Sequence, residues 1–155
     1  MHVCFVCSTN TCRSAIAALV FREHLNRRGL TDRVRVTSAG TGLCQAGAPA
    51  DRRAAAVLVD HGYPTGHVAA PLGSDHLSAS LLLALDSGHA RTLRRLVTDL
   101  TRVRLLRSFD PATGEDGNVP DPYYGGPEEY LEVLRMVESA VPALLDWVCE
   151  KLYHS

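Results

Sequence analysis

The run Leu81-Leu82-Leu83-Ala84-Leu85 carries no polar side chain, and Val3-Cys4-Phe5-Val6 repeats the pattern near the N-terminus. A strand that is apolar on both faces must be covered on both, as in a parallel sheet flanked by helices. Between these runs the period changes. Ser14 to about Gly29 places Ile16, Leu19, Val20, Phe21 and Leu25 on one helical face, and Gly29 ends the segment. Arg33 to Ser38 reads as a second strand. A helix opens at Pro49 and runs through Ala54, Val57 and Leu58 before Gly62 and Pro64 stop it. Ser87 caps a helix through Leu96, Val103 to Leu106 forms a fourth strand, and a final helix reaches about Leu152. This alternation predicts an α/β fold in which three layers, α/β/α, enclose a four-stranded parallel sheet, in a single domain over residues 1–155.

Ligands of such sheets bind beyond the carboxyl ends of the strands, where strand order reverses. There the first strand, residues 2–7, ends in Cys7 and continues at once as Ser8-Thr9-Asn10-Thr11-Cys12-Arg13-Ser14. A loop of this length can curl so that its backbone N–H groups converge on a tetrahedral anion, above the N-terminus of a helix. Residues 8–14 are therefore candidate phosphate ligands. Cys7 would lie at the bottom of the cradle, where the N–H groups and Arg13 favour the thiolate, a nucleophile aimed at phosphorus. Arg13 can grip two equatorial phosphate oxygens with its planar fork, which lysine cannot do. Ser14 Oγ can donate a hydrogen bond to the Cys7 sulfur. Asn10 suits a left-handed backbone turn and can bond its neighbours.

The long irregular segment, 108–127, has a length that marks a functional loop. It contains Asp121-Pro122-Tyr123-Tyr124-Gly125. An acid held over the leaving oxygen accelerates its departure by about 10²–10⁴-fold, and Asp121 is the candidate, with Pro122 fixing the backbone beside it. Tyr123 and Tyr124 can wall the mouth of the pocket for an aromatic substrate. A second Asp-Pro pair, Asp110-Pro111, lies upstream but lacks the tyrosines.

The net charge of −1 gives no electrostatic case for nucleic acid or an anionic membrane. No run is long and apolar enough for a membrane span, and the first residues show no secretory pattern. The chain reads as cytoplasmic and monomeric, with a phosphorylated protein or a small phosphomonoester as its partner. The five cysteines have no framework spacing and read as reduced thiols, with Cys4 and Cys149 in the core. The seven histidines show no ligand spacing, so neither a metal nor a cofactor is expected.

Cys7-x5-Arg13-Ser14, Ser38-Ala39-Gly40-Thr41 and Asp121-Pro122-Tyr123-Tyr124-Gly125 together resemble the low-molecular-weight protein tyrosine phosphatases over essentially the whole chain. The resemblance implies hydrolysis of phosphotyrosine through a phosphocysteine at Cys7, with Asp121 as acid in the first step and base in the second. It implies that Ser38 and His67 join Asn10 and Ser14 in shaping the loop, and that Cys12 can form a protective disulfide with Cys7. It also implies a substrate pocket formed by Thr11, Cys44, Tyr123 and Tyr124.

The chain departs from the family pattern, Cys-x-Gly-Asn-x-Cys-Arg-Ser-Pro, at Thr9 and Ala15, and Ala18 replaces a glutamate. If position 9 requires a positive φ, threonine there costs about 1–2 kcal/mol and strains or reshapes the loop. Ala15 costs less, since proline at a helix start is favoured but not required. Leu43-Cys44-Gln45 stands where many members carry an aromatic residue, which opens one wall of the slot. Thr11 is the residue found in the related protein arginine phosphatases, where it favours a phosphoguanidinium. Phosphoarginine and a small phosphate metabolite are thus the alternative substrates, and a weakly catalytic phosphate-binding protein is the alternative class. A thioredoxin-coupled arsenate reductase needs resolving cysteines, which are absent between Cys44 and Cys149, and the Gly-x4-Gly-Lys-Ser/Thr nucleotide loop is missing.

Overall fold

β1 (His2–Cys7) pairs with strands on both sides, β2 (Arg35–Gly40) and β3 (Leu81–Ala84), in a computed structural model that describes residues 1–113 and 116–154. With β4 (Val103–Leu105) on the far side of β3, the order is β2-β1-β3-β4 and every pairing is parallel. The register sets Cys7 beside Gly40 and Phe5 beside Leu83.

Alternation along the strands divides the interior in two. Val3, Phe5, Leu81 and Leu83 face a large core shared with α1 (Arg13–Arg27), α2 (Arg52–Asp60) and a long final helix over Pro127–Tyr153. Cys4, Val6, Leu82 and Ala84 face a smaller core that takes Ala90 and Leu93 from the helix over Ser87–Leu96. Numbered in chain order, these last two helices are α5 and α4, and α3 is a single turn over Ser74–Leu77. The protein is a three-layer α/β/α structure. Each fully buried leucine or phenylalanine contributes about 1.5–3 kcal/mol, and burial pushes the Cys4 thiol up to about 11.

Several boundaries differ from the sequence reading. α1 starts at Arg13. Pro49 lies outside α2, which begins at Arg52 because the Asp51 carboxylate accepts the Arg53 N–H. Asp86, not Ser87, caps α4 by accepting the His89 N–H at 3.0 Å. β2 continues to Gly40, and residues 106–109 form a 3-10 turn where the sequence predicts the end of a strand and the start of a loop. Cys149 is half-buried and lies outside the core. Among the described residues no helix is long and apolar enough to cross a membrane.

β1 returns through α1 to β2 on one side, whereas β3 lies on its other side, so the strand order reverses between β1 and β3. The loop after Cys7 and the turn at Asp86 both leave the sheet at that crevice.

Candidate active site

Residues 8–12 carry the chain from the end of β1 into α1. The backbone N–H groups of Ser8, Thr9, Asn10, Thr11 and Cys12 donate to no described residue. The Cys7 and Ser8 carbonyls are instead drawn away, accepting from Thr41 N–H and Gly42 N–H at 2.9 Å each. Unpaired backbone donors beside carbonyls engaged elsewhere are what an anion cradle requires. The close approach of β2 depends on Gly40, where a Cβ would meet the Ser8 carbonyl oxygen at 2.6 Å.

Asn10 alone among the described non-glycine residues has a positive φ, 60°. Thr9 does not occupy a left-handed conformation, so the strain anticipated for threonine there is absent. The turn is carried one residue later, by a side chain that tolerates it. Asn10 Oδ1 accepts the Ala70 N–H at 3.0 Å, which orients the amide so that Nδ2 donates to Ser14 Oγ at 2.8 Å. Since that oxygen accepts from Asn10, its own proton is free to point at Cys7 Sγ, 2.9 Å away. A relay of three hydrogen bonds therefore delivers a donor to the sulfur, the arrangement that stabilises a thiolate. His67 Nε2 donates to the Asn10 carbonyl at 2.6 Å, and burial pushes that imidazole below its ordinary range and keeps it neutral. Ser38 makes no hydrogen bond to Asn10 or Ser14 among the described residues. With His67 it lines a separate cavity.

Arg13 is buried, and its Nη1 donates to Asp86 Oδ2 at 2.9 Å and to the Val119 carbonyl at 3.0 Å. Both protons of Nη1 are thereby used, and Nε and Nη2 remain as the edge of the fork available to an anion. Asp86 also takes the His89 N–H. Burial alone would raise its carboxyl, but the His89 N–H and Arg13 outweigh that and hold it below the ordinary carboxylate range. His89 is buried below its usual range, and its Nε2 meets Ser8 Oγ at 2.9 Å. Sequence reasoning missed Asp86 and His89; an aspartate at the end of an apolar strand was the available signal.

Cys7, Ser8, Thr9, Cys12, Arg13, Asp121, Tyr123 and Tyr124 line one cleft of about 200 Å³. Asp121 Oδ2 lies 3.9 Å from Arg13 Nη2, and its Oδ1 accepts the Tyr123 N–H at 3.1 Å. The two tyrosine rings meet edge to face at 4.9 Å. Thr11 and Cys44 are not in this cleft. They line an adjoining cavity of about 540 Å³ with Leu43 and Gln45, which shares only Thr9 and Tyr123 with the first. Leu43 is almost fully exposed. Asp110 is buried away from the cleft, accepting the Ala112 N–H and facing Arg107, as part of a turn. Cys12 Sγ lies 3.3 Å from the Tyr130 hydroxyl, and burial raises its thiol above the ordinary value.

The sequence model of the family described as low molecular weight phosphotyrosine protein phosphatase matches residues 2–154. The chain belongs to this family. It is 55% identical over 153 residues to low molecular weight protein-tyrosine phosphatase A of Mycobacterium tuberculosis, covering 98% of this chain and 94% of that one. A protein tyrosine phosphatase from Entamoeba histolytica, solved with Hepes in its active site, superposes with a TM-score of 0.91 at 27% identity, covering 97% and 98% of the two chains. The YwlE arginine phosphatase, solved as a Cys-to-Ser variant with a phosphorylated active-site serine, superposes with a TM-score of 0.84 at 27% identity, covering 96% and 95%. The chain is accordingly a cysteine-dependent protein tyrosine phosphatase of the low molecular weight type.

Proposed function

We propose that this phosphatase hydrolyses phosphotyrosine through a phosphocysteine at Cys7, working as a single cytoplasmic domain over residues 1–155 and as a monomer. The observation that carries the mechanism is the cleft that sets Cys7, Arg13 and Asp121 around one space. In the first step the Cys7 thiolate attacks phosphorus and the bond to the tyrosyl oxygen breaks. The pair of electrons leaves with that oxygen, which Asp121 protonates. In the second step Asp121 takes a proton from water, the water oxygen bonds to phosphorus and the S–P bond breaks. Inorganic phosphate leaves, and the thiolate returns to its donor, Ser14. Arg13 and the N–H groups of 8–12 hold the equatorial oxygens throughout.

Three residues speak to the substrate. Tyr123 and Tyr124 stand in the cleft, whereas Thr11, the residue that would favour a phosphoguanidinium, lines the neighbouring cavity with its hydroxyl 3.1 Å from that of Thr9. That placement favours an aryl phosphate over phosphoarginine. The phosphorylated serine of the related arginine phosphatase variant supports a covalent phosphoenzyme here. The odd number of cysteines without framework spacing supports a reducing compartment, and Cys12, which lines the same cleft, is the partner that captures an oxidised Cys7 as a disulfide.

The test is hydrolysis of an aryl phosphate by the wild type, Cys7→Ser and Asp121→Ala, with mass spectrometry of acid-quenched enzyme. Loss of turnover in Cys7→Ser and a phosphate adduct on Cys7 in Asp121→Ala are expected. A Cys7→Ser enzyme that keeps its turnover would overturn the mechanism, and faster release of phosphate from phosphoarginine peptides than from phosphotyrosine peptides would overturn the substrate.

A further inference from the structure

Nothing in the sequence marks Arg53, the second residue of α2, yet it is bonded to both halves of the site. Its Nε and Nη2 meet the Asp51 carboxylate at 3.0 Å each, and Asp51 in turn donates its N–H to the Thr11 carbonyl of the phosphate loop at 2.9 Å. Its Nη1 reaches across to the acid loop and donates to the Tyr123 carbonyl at 2.6 Å and the Gly125 carbonyl at 3.0 Å. The guanidinium carbon lies 4.8 Å above the Tyr130 ring and 5.4 Å from the Tyr123 ring. Arg53 itself does not line the catalytic cleft.

We infer that Arg53 is a positioning residue for Asp121, a two-armed strap that holds the acid loop at a fixed distance from the phosphate loop. The inference rests on the reading of Asp121 as the leaving-group acid. Asp121 is exposed, and among the described residues of its own loop its carboxylate is tied only to the Tyr123 N–H. The peptide segment that supplies this N–H therefore decides where the acid stands, and Arg53 grips the carbonyl of the same residue. Carbonyls of Tyr123 and Gly125 are two residues apart, so one nitrogen bonded to both fixes the direction of the turn as well as its distance. A guanidinium can do this while keeping a separate edge for Asp51, because its donors radiate in one plane. An ammonium has no such second edge. Displacing a catalytic group by about 1 Å can cost on the order of a hundredfold, so the strap matters where protonation of the leaving oxygen limits the rate.

The experiment is the dependence of kcat/KM on leaving-group pKa across a series of aryl phosphates, for the wild type, Arg53→Ala, Asp121→Ala and the double variant. For phenyl phosphate, Arg53→Ala should lose about 10- to 100-fold, and for a strongly activated aryl phosphate less than about threefold, so that the dependence steepens. In the Asp121→Ala background the substitution should leave the slope unchanged, because the group it positions is gone. Competitive inhibition by inorganic phosphate, which reads the Cys7 loop directly, should stay within about threefold of the wild type. Arg53→Lys keeps charge above Tyr130 but loses the second arm, so it should steepen the slope as well; it stands in should the alanine variant be too unstable to purify. An unchanged slope in both Arg53 variants beside a steepened one in Asp121→Ala overturns the strap alone. An unchanged slope in Asp121→Ala overturns the acid assignment and the strap with it.

Discussion

Asp86 Oδ2 lies 2.9 Å from Arg13 Nη1 and, with the Val119 carbonyl, takes both protons of that nitrogen. An arginine side chain has several rotatable bonds, and the geometry turns one of its edges into a fixed mount and leaves the other for phosphate. Asp86→Asn should therefore weaken the grip on the anion throughout the reaction. The lost charge-assisted hydrogen bond is worth about 1.5–3 kcal/mol, so kcat/KM should fall about 10- to 100-fold. The fall should be the same for good and poor leaving groups, since Arg13 acts on the equatorial oxygens. A leaving-group series on this variant checks it, and a slope change in place of a uniform drop would contradict the role.

Thr9 is the most conspicuous departure from the family's loop, and the structure removes its penalty by placing the left-handed turn at Asn10. Thr9→Gly should not raise activity, and by adding freedom to the unfolded chain it should lower stability by up to about 1 kcal/mol. Asn10→Ala should cost more. Alanine at that φ costs about 1–2 kcal/mol, and the Ala70 N–H and Ser14 hydroxyl lose their partner as well, for a total of about 2–4 kcal/mol. Urea unfolding and kcat of the two variants together test the assignment, and a gain in kcat for Thr9→Gly would speak against it.

Two Asp-Pro pairs compete for the acid role in the sequence, and burial separates them. Asp110 accepts the Ala112 N–H and faces Arg107 inside the fold, whereas Asp121 opens into the cleft. Asp110→Asn should therefore lower stability by about 1–3 kcal/mol and leave kcat/KM within about twofold. Asp121→Asn should do the reverse, with thermal stability near that of the wild type and a loss of about 10²–10⁴-fold for poor leaving groups. Melting temperatures and rates measured on the same preparations would expose an exchange of roles.

The parts of this site that a sequence can show are those carried by contiguous residues. Cys7 to Ser14 follow a run whose apolar character already fixes a buried strand, so the loop's place at the end of β1 was legible from position alone. Asp86 was not, because its partnership with Arg13 depends on β3 lying next to β1, and strand order is set by packing between elements far apart in the chain. The same limit hid Arg53, whose two carbonyl partners come from a loop some seventy residues away. The helix starts differ from those expected at Pro49 and Ser87 because a nearby aspartate takes the capping role in each case, through a side-chain hydrogen bond that outweighs the propensity of its neighbours. The single turn of α3 has too few residues to show a period. The family resemblance puts Thr11 and Cys44 in one pocket with the tyrosines, whereas in the fold they line a second cavity that meets the first at Thr9 and Tyr123.

Acid should destabilise the protein in two stages, and the first belongs to histidines. Burial pushes His2, His24, His67, His76 and His89 below the ordinary value of 6.5, and in His67 and His89 it outweighs the hydrogen bond or carboxylate that favours charge. The unfolded chain consequently binds protons near pH 6.5 that the native state refuses, so stability is complete above that pH and declines as pH falls toward the depressed native values. Asp51 and Asp86, held low by Arg53 and by the His89 N–H with Arg13, add a second decline only below about pH 4. Melting temperature should thus fall steadily between about pH 6.5 and pH 5, before any carboxylate titrates. His67→Gln, which removes one of the depressed groups, should start from a lower melting temperature and fall less steeply across the same interval. Calorimetry of both proteins from pH 7.5 to pH 4.5 decides the point, and a melting temperature that holds or rises on acidification to pH 5 would contradict the assignment of neutral buried imidazoles.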